Sequence, residues 1–145
     1  MSQQPRLGCG AAIVRDGQLL LVKRLRDPEA GCWGLPGGKV DWLEPVEQAM
    51  RREILEALGL TLQGVSLLCV ADQIDAERQE HWVCPVYLAS APAMAPRNNE
   101  PHKHSDIAWF ELDRLPKPLT LATRAAVRAL VQIAALRAYH PRPRG

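Results

Sequence analysis

Apolar residues recur along the chain in runs that predict β-strands separated by polar turns. The segment CGAAIVRDGQLLLVKR predicts two strands around Asp16 and Gly17, because Asp-Gly is a common hairpin turn. Two further runs, TLQGVSLLCVADQI and EHWVCPVYLAS, predict strands on either side of the polar stretch DAERQ. A last strand is predicted in DIAWFELDRLP, where it runs into a turn. The pattern therefore favours a sheet.

Two other segments have the longer periodicity of helices. Pro45 suits a first helical turn, and the pattern after it continues to about Leu58 and ends at Gly59. An Ala- and Leu-rich helix that carries arginines is predicted from Thr120 to about Tyr139. The chain shows no repeat and no internal linker. We therefore predict one α/β domain over residues 1–145, with a mixed sheet, at least two helices and a frayed tail from about 140 to 145.

Irregular backbone is predicted before the first helix and before the last strand. The segment CWGLPGGKV predicts a short strand that is broken by Pro36 and by the pair Gly37 and Gly38. Further on, APAMAPRNNEPHKHS predicts a loop rich in Pro and Asn. A loop of that length indicates a function more than a mere connection.

Composition and charge narrow the class of protein. Of the 145 residues, 47% are hydrophobic and 23% are charged, as in ordinary globular domains. The net charge of +2 is too small to imply a surface that binds nucleic acid, whereas acidic small molecules remain acceptable ligands. The N-terminal MSQQPRLGCG lacks the apolar core of a signal peptide, and no run reaches the ~20 apolar residues of a membrane span. These features predict a cytoplasmic enzyme or binding domain without a nucleic-acid or membrane partner.

The cysteines carry little chemistry in this pattern. Cys9, Cys32, Cys69 and Cys84 are widely scattered, with no C-x-x-C pair and no zinc-ligand spacing. We expect them to be small buried residues or inert thiols in a reducing compartment.

The first predicted helix gathers acidic residues on one side. On a helical wheel that advances ~100° per residue, Glu53 and Glu56 fall together and Arg52 lies next to Glu56. Their aliphatic neighbours form a separate side that we expect to face the core, namely Met50, Ile54 and Leu58.

Two carboxylates that converge in this way repel each other unless a cation lies between them. A divalent ion such as Mg²⁺ or Mn²⁺ takes oxygen ligands and also binds phosphate oxygens. The glycine pair Gly37 and Gly38 lets the backbone approach an ion or a phosphate closely. The alternative is a solvated helix face on which arginines and glutamates form ion pairs.

The spacing of residues from Gly38 to Leu60 favours a metal-binding helix over a solvated helix face. Gly38 is followed by Glu44, then by the run Arg52 to Ile54, and finally by Glu56, Gly59 and Leu60. This spacing resembles the Nudix box and departs from it only at Ala57. The segments GAAIVRDGQLLLVKR, GCWGLPGG and AWFELDRLP also lie in the order that is typical of Nudix hydrolases, so the resemblance covers most of the chain. It implies a MutT-like Nudix fold, a mixed β-sheet sandwiched between helices (α/β/α).

The resemblance implies metal-assisted hydrolysis of a nucleoside diphosphate linked to another group, with Mg²⁺ or Mn²⁺ neutralising phosphate charge. Carried over by position, Glu56 is a metal ligand, and Glu53 is either a ligand or the residue that orients or deprotonates the attacking water. Arg52 holds these carboxylates by hydrogen bonds. The backbone carbonyl of Gly37 is a further ligand. Glu44 is a supporting acid or simply a favourable charge near the helix start.

Two positions depart from the family pattern. Ala57 stands where the family has the second glutamate of its pair. On the wheel it falls between the apolar and the acidic side, so an alanine there does not disturb the fold but weakens metal binding. It indicates natural divergence or a substitution that disables an active enzyme, and the intact surroundings favour the second.

In the loop before the last strand, Glu100 resembles the acid of an EP-x-K element of nucleotide-cleaning members, which makes it a candidate substrate contact. His102 and His104 could bind zinc, although no third ligand accompanies them; a plain hydrophilic loop is the alternative for all three.

Substrate contacts are the least specific prediction. Trp82, Trp33 and Tyr87 could stack on a base, although aromatic residues on strands more often belong to the core. Arg24 and Lys23 end the second strand and could contact phosphate or simply face solvent.

The resemblance is greatest to the nucleotide-sanitising subgroup, so we expect hydrolysis of a nucleoside triphosphate to monophosphate and pyrophosphate. The alternatives are a hydrolase of a nucleoside diphosphate sugar such as ADP-ribose, and a catalytically silent domain that binds a nucleotide or a partner protein. An RNA-processing pyrophosphohydrolase is disfavoured by the small net charge. The resemblance also allows a homodimer.

Overall fold

The computed structural model describes residues 3–139. The predicted tail at 140–145 lies outside these residues. The elements follow one another in the order β1 (Arg6–Arg15), β2 (Gln18–Arg24), β3 (Trp33–Gly34), β4 (Gly37–Lys39), α1 (Val46–Leu58), β5 (Val65–Asp75), β6 (Glu80–Ser90), β7 (His104–Glu111) and α2 (Leu121–Tyr139).

The first two strands form the predicted hairpin. Arg15 pairs with Gln18 across the turn. Asp16 has φ of 50° and Gly17 has φ of 79°, and positive φ at both central residues is the requirement of a type I′ turn. The Asp-Gly sequence therefore determines this turn directly.

The sheet is mixed, as predicted. Its strand order is β3-β2-β1-β6-β5, with β4 beside β1 and β7 beside β2. Strand β1 is parallel to β6 and antiparallel to β2 and β4. The first half of β1 pairs with β4 at residues 8–10, whereas its last two residues pair with β2.

Helices cover both faces of this sheet. Helix α1 packs on β1 and β4, and helix α2 packs on β5, β6 and β3. Because both faces are covered, consecutive residues in β2 are all buried: Leu20 belongs to the core under α1, and Leu19 and Leu21 belong to the core under α2. The predicted α/β/α arrangement is confirmed.

Helix α1 has the predicted bounds and orientation. Pro45 has extended backbone (φ −60°, ψ 141°) immediately before it. Gly59 ends the helix in the left-handed region (φ 70°), where its N–H donates to the carbonyl of Leu55. The aliphatic side faces the core, since Met50, Ile54 and Leu58 are fully buried.

Two strand boundaries differ from the prediction. β5 begins at Val65, four residues after Thr61, because the Arg51 guanidinium binds the carbonyls of Leu62 and Gln63 and holds that segment against α1. β7 begins at His104, inside the predicted loop, because His104 pairs with Arg24 after an irregularity in the register.

The long loop before β7 docks on the C-terminal end of α1. Arg97 donates its N–H to the carbonyl of Leu58, and Asn99 donates to the carbonyl of Ala57. These bonds satisfy carbonyls that a helix end leaves without partners. In the part of the chain that the structure describes, neither helix combines the length and the apolar character of a membrane span.

Candidate active site

A cleft lies over the first half of β1, where residues with small side chains form its floor. A Cβ added at Gly8 would lie 3.7 Å from the Trp82 ring, and one added at Gly10 would lie 3.8 Å from the Cys84 sulfur. These positions lack side chains that would fill the space above them, and a cavity of about 490 Å³ opens there. The floor is therefore a consequence of glycines at alternate positions in a central strand.

Glu53 of α1 lies at one end of the cleft, against the glycine pair. Gly37 and Gly38 line the cavity beside it. A Cβ on Gly38 would lie 2.3 Å from the Glu53 carboxylate, closer than any real contact, so this carboxylate occupies the space that another residue's side chain would need. Glu53 itself is only 9% exposed. The backbone of β4 and this carboxylate thus form one tightly packed corner.

Arg52 connects the acidic residues around this corner. Its Nη1 donates to Glu53 (3.0 Å) and to Glu56 (3.3 Å). Its Nε and Nη2 bind both oxygens of Glu44 at 2.8 and 3.0 Å, the bidentate geometry that suits a guanidinium. Asp41 lies 3.4 Å from Nη2. The hydrogen bonds with Glu44 raise the pKa of Arg52 and lower that of Glu44.

This arrangement fits a divalent cation. Burial raises the pKa of Glu53, although the hydrogen bond and the positive charge of Arg52 act in the opposite direction. A buried carboxylate of this kind is stabilised by gaining a cation or a proton. Glu53 and Glu56 converge on one nitrogen and supply the oxygen donors that Mg²⁺ and Mn²⁺ prefer. Among residues 3–139 no three acidic, histidine or cysteine side chains form a ready metal cluster, so a bound ion needs further ligands from substrate phosphates and water.

Ala57 lies one turn after Glu53 and is fully buried. It belongs to the core under α1 and does not line the cleft. The helical wheel predicts a position between the apolar and acidic sides of the helix, whereas the structure places both Ala57 and Glu53 inside the buried side. A longer side chain at 57 would therefore have to emerge from the core to reach the acidic corner.

Cations line the rest of the cleft. Lys39, Lys103, Arg24 and Arg26 all contribute to its walls, and the acidic residues Asp27, Glu29 and Asp41 lie among them. Arg24 is anchored, because its Nε donates to the carbonyl of Pro28 at 2.8 Å, and burial lowers its pKa. Burial raises the pKa of Glu53, and the positive charge of Lys103 opposes that rise. A cleft with carboxylates at one corner and several basic side chains within reach along its walls suits a metal-bound polyphosphate.

The structure brings together most of the residues that the sequence proposed. Glu53, Gly37, Gly38, Arg24 and Trp82 line one cavity. Glu56, with a 52% exposed side chain, and Arg52 do not line it but are bound to its corner. Their roles stay predictions.

Other proposed residues lie elsewhere. Glu100 pairs with Lys103 at 3.0 Å and is not part of the cleft wall. Trp33 packs edge-on against Phe110 in the core under α2, and Tyr87 packs against the core under α1. Lys23 is exposed. The alternative of a core position therefore describes these two aromatic residues better than base stacking.

His102 and His104 lie in different environments. His102 is exposed, whereas His104 is buried and lines the cleft, so the description as hydrophilic loop is wrong for His104. Burial lowers the pKa of His104. Asp106, which lies outside the cleft, binds the N–H of Ile107. These positions do not form a zinc site, since no three such ligands cluster among the described residues.

Two cysteines, Cys9 and Cys84, line the cleft. Among residues 3–139 all four cysteines are free. Burial raises the pKa of Cys9 to about 11 and that of Cys84 to about 12, which keeps both thiols protonated near neutral pH. The expectation of a small buried residue is confirmed for Cys9, and inertness of these thiols stays a prediction.

Several cleft residues have no signal in the sequence. Lys39, Lys103, Gln73 and Glu29 line the cavity, yet they are single polar residues, in strands or loops, that nothing in the sequence marks as cleft residues. The alternate glycines of GCGAA are the one available sign of a cleft floor, because glycine in a strand interior often marks a close approach to a ligand.

Comparison with known proteins assigns the family. The model of the NUDIX domain family matches residues 4–130. The chain belongs to the NUDIX domain family. The Nudix resemblance inferred from the box and the flanking segments is thus confirmed, and the corner at Glu53 is formed by the Nudix box itself.

Solved and curated relatives agree with this assignment. A MutT NUDIX hydrolase from Burkholderia pseudomallei is 64% identical, with a TM-score of 0.85 over 88% of this Nudix chain and 98% of that one. An ADP-ribose pyrophosphatase of Methanocaldococcus jannaschii is 34% identical over 113 residues, or 78% of this chain and 66% of the relative. A putative 8-oxo-dGTP diphosphatase 2 of Mycobacterium tuberculosis is 47% identical over 64 residues, or 43% of each chain. The chain therefore spans less than two thirds of these two curated relatives.

Arg52→Lys tests the acidic corner of this Nudix domain. We expect the Tm to fall by on the order of 5 °C, because a lysine cannot bind Glu44 bidentately and also reach Glu53 and Glu56. Thermal unfolding followed by circular dichroism measures this change. Arg128→Lys, on an exposed position of α2, is the matched control. An unchanged Tm in Arg52→Lys would show that the guanidinium contacts do not stabilise the fold.

Proposed function

We propose that the chain is a divalent-metal-dependent pyrophosphohydrolase that cleaves a nucleoside triphosphate to a nucleoside monophosphate and pyrophosphate. The observation that carries this proposal is the corner where Glu53 and Glu56 converge on Arg52, at the end of a cleft whose walls include Lys39, Lys103 and Arg24. Carboxylates, cations and a glycine-lined floor together suit a polyphosphate better than an uncharged ligand.

Each residue of the acidic corner has a separate role in this proposal. Glu53 and Glu56, with the Gly37 carbonyl, would hold Mg²⁺ or Mn²⁺, which when bound neutralises phosphate charge and lowers the pKa of a coordinated water. Arg52 keeps both carboxylates in place, and Glu44 keeps Arg52 in place. Lys39, Lys103 and Arg24 bind and orient the phosphates. Glu53 is also the group best placed to orient or deprotonate the attacking water, because burial favours its uptake of a proton.

Two relatives are named for different substrates, and these are the two substrate classes that we compare. The Mycobacterium tuberculosis relative is named for a nucleoside triphosphate, and the Methanocaldococcus jannaschii relative is named for ADP-ribose. With a divalent ion offsetting Glu53, the four cations of the cleft outnumber its other acidic residues, Asp27, Glu29 and Asp41, and favour the triphosphate, which carries more phosphate charge than a diphosphate sugar. Hydrolysis of a nucleoside diphosphate sugar is the second candidate, and the similarity to the ADP-ribose pyrophosphatase over 78% of the chain supports it.

A silent nucleotide-binding domain is the candidate that Ala57 supports. A cytoplasmic location, a homodimer and the absence of nucleic-acid and membrane partners also stay predictions. Light scattering on a size-exclusion column measures the oligomeric state.

Ala57→Glu tests both the metal site and the activity. We expect the variant to bind Mn²⁺ about tenfold more tightly and to turn over faster, because a third carboxylate joins the acidic corner. Without metal its Tm should fall, since position 57 is fully buried and a buried charge is costly unless it is paired. Excess Mn²⁺ should restore the Tm. The measurements are pyrophosphate and phosphate release from nucleoside triphosphates and ADP-ribose, and thermal unfolding with and without Mn²⁺.

Ala57→Gln is the matched control, because glutamine has the size of glutamate without its charge. It should lose stability without gaining metal affinity. The proposed function would be contradicted if neither the original chain nor Ala57→Glu released pyrophosphate from any nucleoside triphosphate. Equal activity of both would show that the third carboxylate is supplied elsewhere, and Glu100→Gln would then be measured next.

A further inference from the structure

The end of the cleft away from the acidic corner combines an aromatic ring with an amide. Trp82 of β6 and Gln73 of β5 are directly opposite in the register, so their side chains leave the same face of the sheet side by side. Both line the cleft. An aromatic face beside a group that both donates and accepts hydrogen bonds can hold a nucleobase by its ring and read its edge.

Glu29 fixes the orientation of this amide. One carboxylate oxygen accepts a hydrogen bond from the Nε2 of Gln73, and the other accepts one from the backbone N–H of Leu121 at 2.8 Å. A carboxylate has acceptor oxygens and no donor, so the NH₂ group of Gln73 must face Glu29 and its carbonyl oxygen must face away. Within residues 3–139 no donor reaches that Oε1, and the atom is not among the buried polar atoms without partners. The cleft wall therefore presents a fixed hydrogen-bond acceptor next to Trp82.

Lys39 connects this end of the cleft with the acidic corner. Its Nζ lies 5.8 Å from the centroid of the Trp82 ring. Its backbone carbonyl accepts a hydrogen bond from Nη2 of Arg52 at 3.2 Å, and Lys39 lines the same cavity as Trp82 and Glu53. A base stacked at Trp82 would thus have Lys39 between it and the acidic corner, where its phosphates would lie.

We propose that Trp82 and Gln73 form the nucleobase subsite, and that Gln73 Oε1 selects bases that carry an exocyclic amino group. Glu29 is the positioning residue, because it touches the amide and not the base. Adenine and cytosine present an amino donor where hypoxanthine and uracil present a carbonyl acceptor. At that position the carbonyl bases would meet Gln73 Oε1 with a second acceptor, and their neighbouring ring N–H would reach Oε1 only if the base shifted in the subsite. This inference rests on the proposed function, since it names the base that the same site accepts.

The test compares matched bases in binding as well as in turnover. Dissociation constants of CMP, UMP, AMP and IMP are measured by calorimetry, and kcat/KM is measured for the four corresponding triphosphates with Mn²⁺. We expect CMP to bind about tenfold more tightly than UMP, and AMP about tenfold more tightly than IMP, the effect of one hydrogen bond gained against one acceptor left unpaired. Because monophosphate binding needs no turnover, a failure of the proposed hydrolysis does not obscure this result.

Two variants separate base selection from folding. Gln73→Leu should bring both affinity ratios close to one. Glu29→Gln should reduce or reverse them, because the new amide at position 29 can donate to Gln73 and let the Gln73 amide turn its NH₂ toward the base. Glu111→Gln, which removes the same charge at the far end of β7, should leave the ratios unchanged. A purely structural role for Glu29 would weaken all four ligands equally.

Two results would overturn the inference. The first is equal binding of amino and carbonyl bases by the original chain, or no measurable binding of any of the four. The second is a preference that survives both Gln73→Leu and Glu29→Gln, since the acceptor would then lie elsewhere. If one variant does not fold, as judged by circular dichroism, the other decides.

Discussion

Replacing Glu56 by glutamine is expected to reduce kcat/KM by roughly 10²–10³-fold, the range found when a single group that stabilises charge in the transition state is lost. The side chain keeps its size and one oxygen, but it loses the negative charge that would face a divalent ion. Its stability effect should be small. Glu56 is 52% exposed, and its 3.3 Å contact with Arg52 is an i,i+4 ion pair of a kind worth roughly 0.3–0.5 kcal/mol. Pyrophosphate release and thermal unfolding give the two quantities.

The same helix offers a close control for this prediction. Glu47 forms an i,i+4 pair with Arg51, also at 3.3 Å and also with a half-exposed carboxylate, but it lies outside the acidic corner. Glu47→Gln should therefore cost as little stability as Glu56→Gln and leave turnover unchanged. A large loss of Tm in Glu56→Gln alone would mean that Glu56 is structural, and the metal assignment would be wrong. Equal turnover in Glu56→Gln and Glu47→Gln would likewise show that the metal assignment of Glu56 is wrong.

Local signals explain why much of the fold was predictable. The hairpin at Asp16 and Gly17 depends on two residues that tolerate positive φ, and helix α1 depends on an apolar periodicity that ends at Gly59. The acidic corner was predictable for the same reason. Arg52, Glu53 and Glu56 lie within about one turn of one helix, so their spacing determines their proximity.

Long-range register explains what the sequence did not predict. Gln73 meets Trp82 only because β5 and β6 pair in one particular register, and Glu29 meets Gln73 across an even longer sequence separation. The polar residues around His104 predict a loop, yet its pairing with Arg24 buries it in the cleft wall. In each case a polar side chain carries no periodic signal, so only the assembled sheet shows its position.

Ala57 shows a different limit of sequence patterns. A helical wheel gives the angle of a side chain but not how far the neighbouring layer covers it. The wheel places Ala57 near the edge of the apolar side, whereas the sheet and the loop that docks on the helix end cover it completely. Its burial is what makes the stability of Ala57→Glu sensitive to metal, and this sensitivity was not visible from the box alone.

Gly38→Ala is expected to disable the site because the added methyl group displaces the side chain of Glu53. The new Cβ would lie 2.3 Å from Cδ and Oε2 of Glu53, so the carboxylate must leave its position. The carboxylate is held by Arg52 and is mostly buried, which leaves it little room to move while it still faces a metal. We expect kcat/KM to fall by roughly 10²-fold or more and Mn²⁺ affinity to fall with it, because a displacement of about 1 Å in a positioned group is enough for such a loss. Calorimetric titration with Mn²⁺ and pyrophosphate release measure the two effects.

Gly64→Ala controls for the loss of a glycine as such. A Cβ at Gly64 would meet nothing within 4 Å, so this variant should keep the original metal affinity and turnover. The double variant Gly38→Ala with Glu53→Asp adds a sharper test, because the shorter aspartate gives back part of the space that the new methyl group occupies. It should recover Mn²⁺ affinity relative to Gly38→Ala alone. If Gly38→Ala binds Mn²⁺ and turns over like the original chain, Glu53 does not act from the position beside Gly38, and the catalytic corner would have to be assigned to other residues of the cleft.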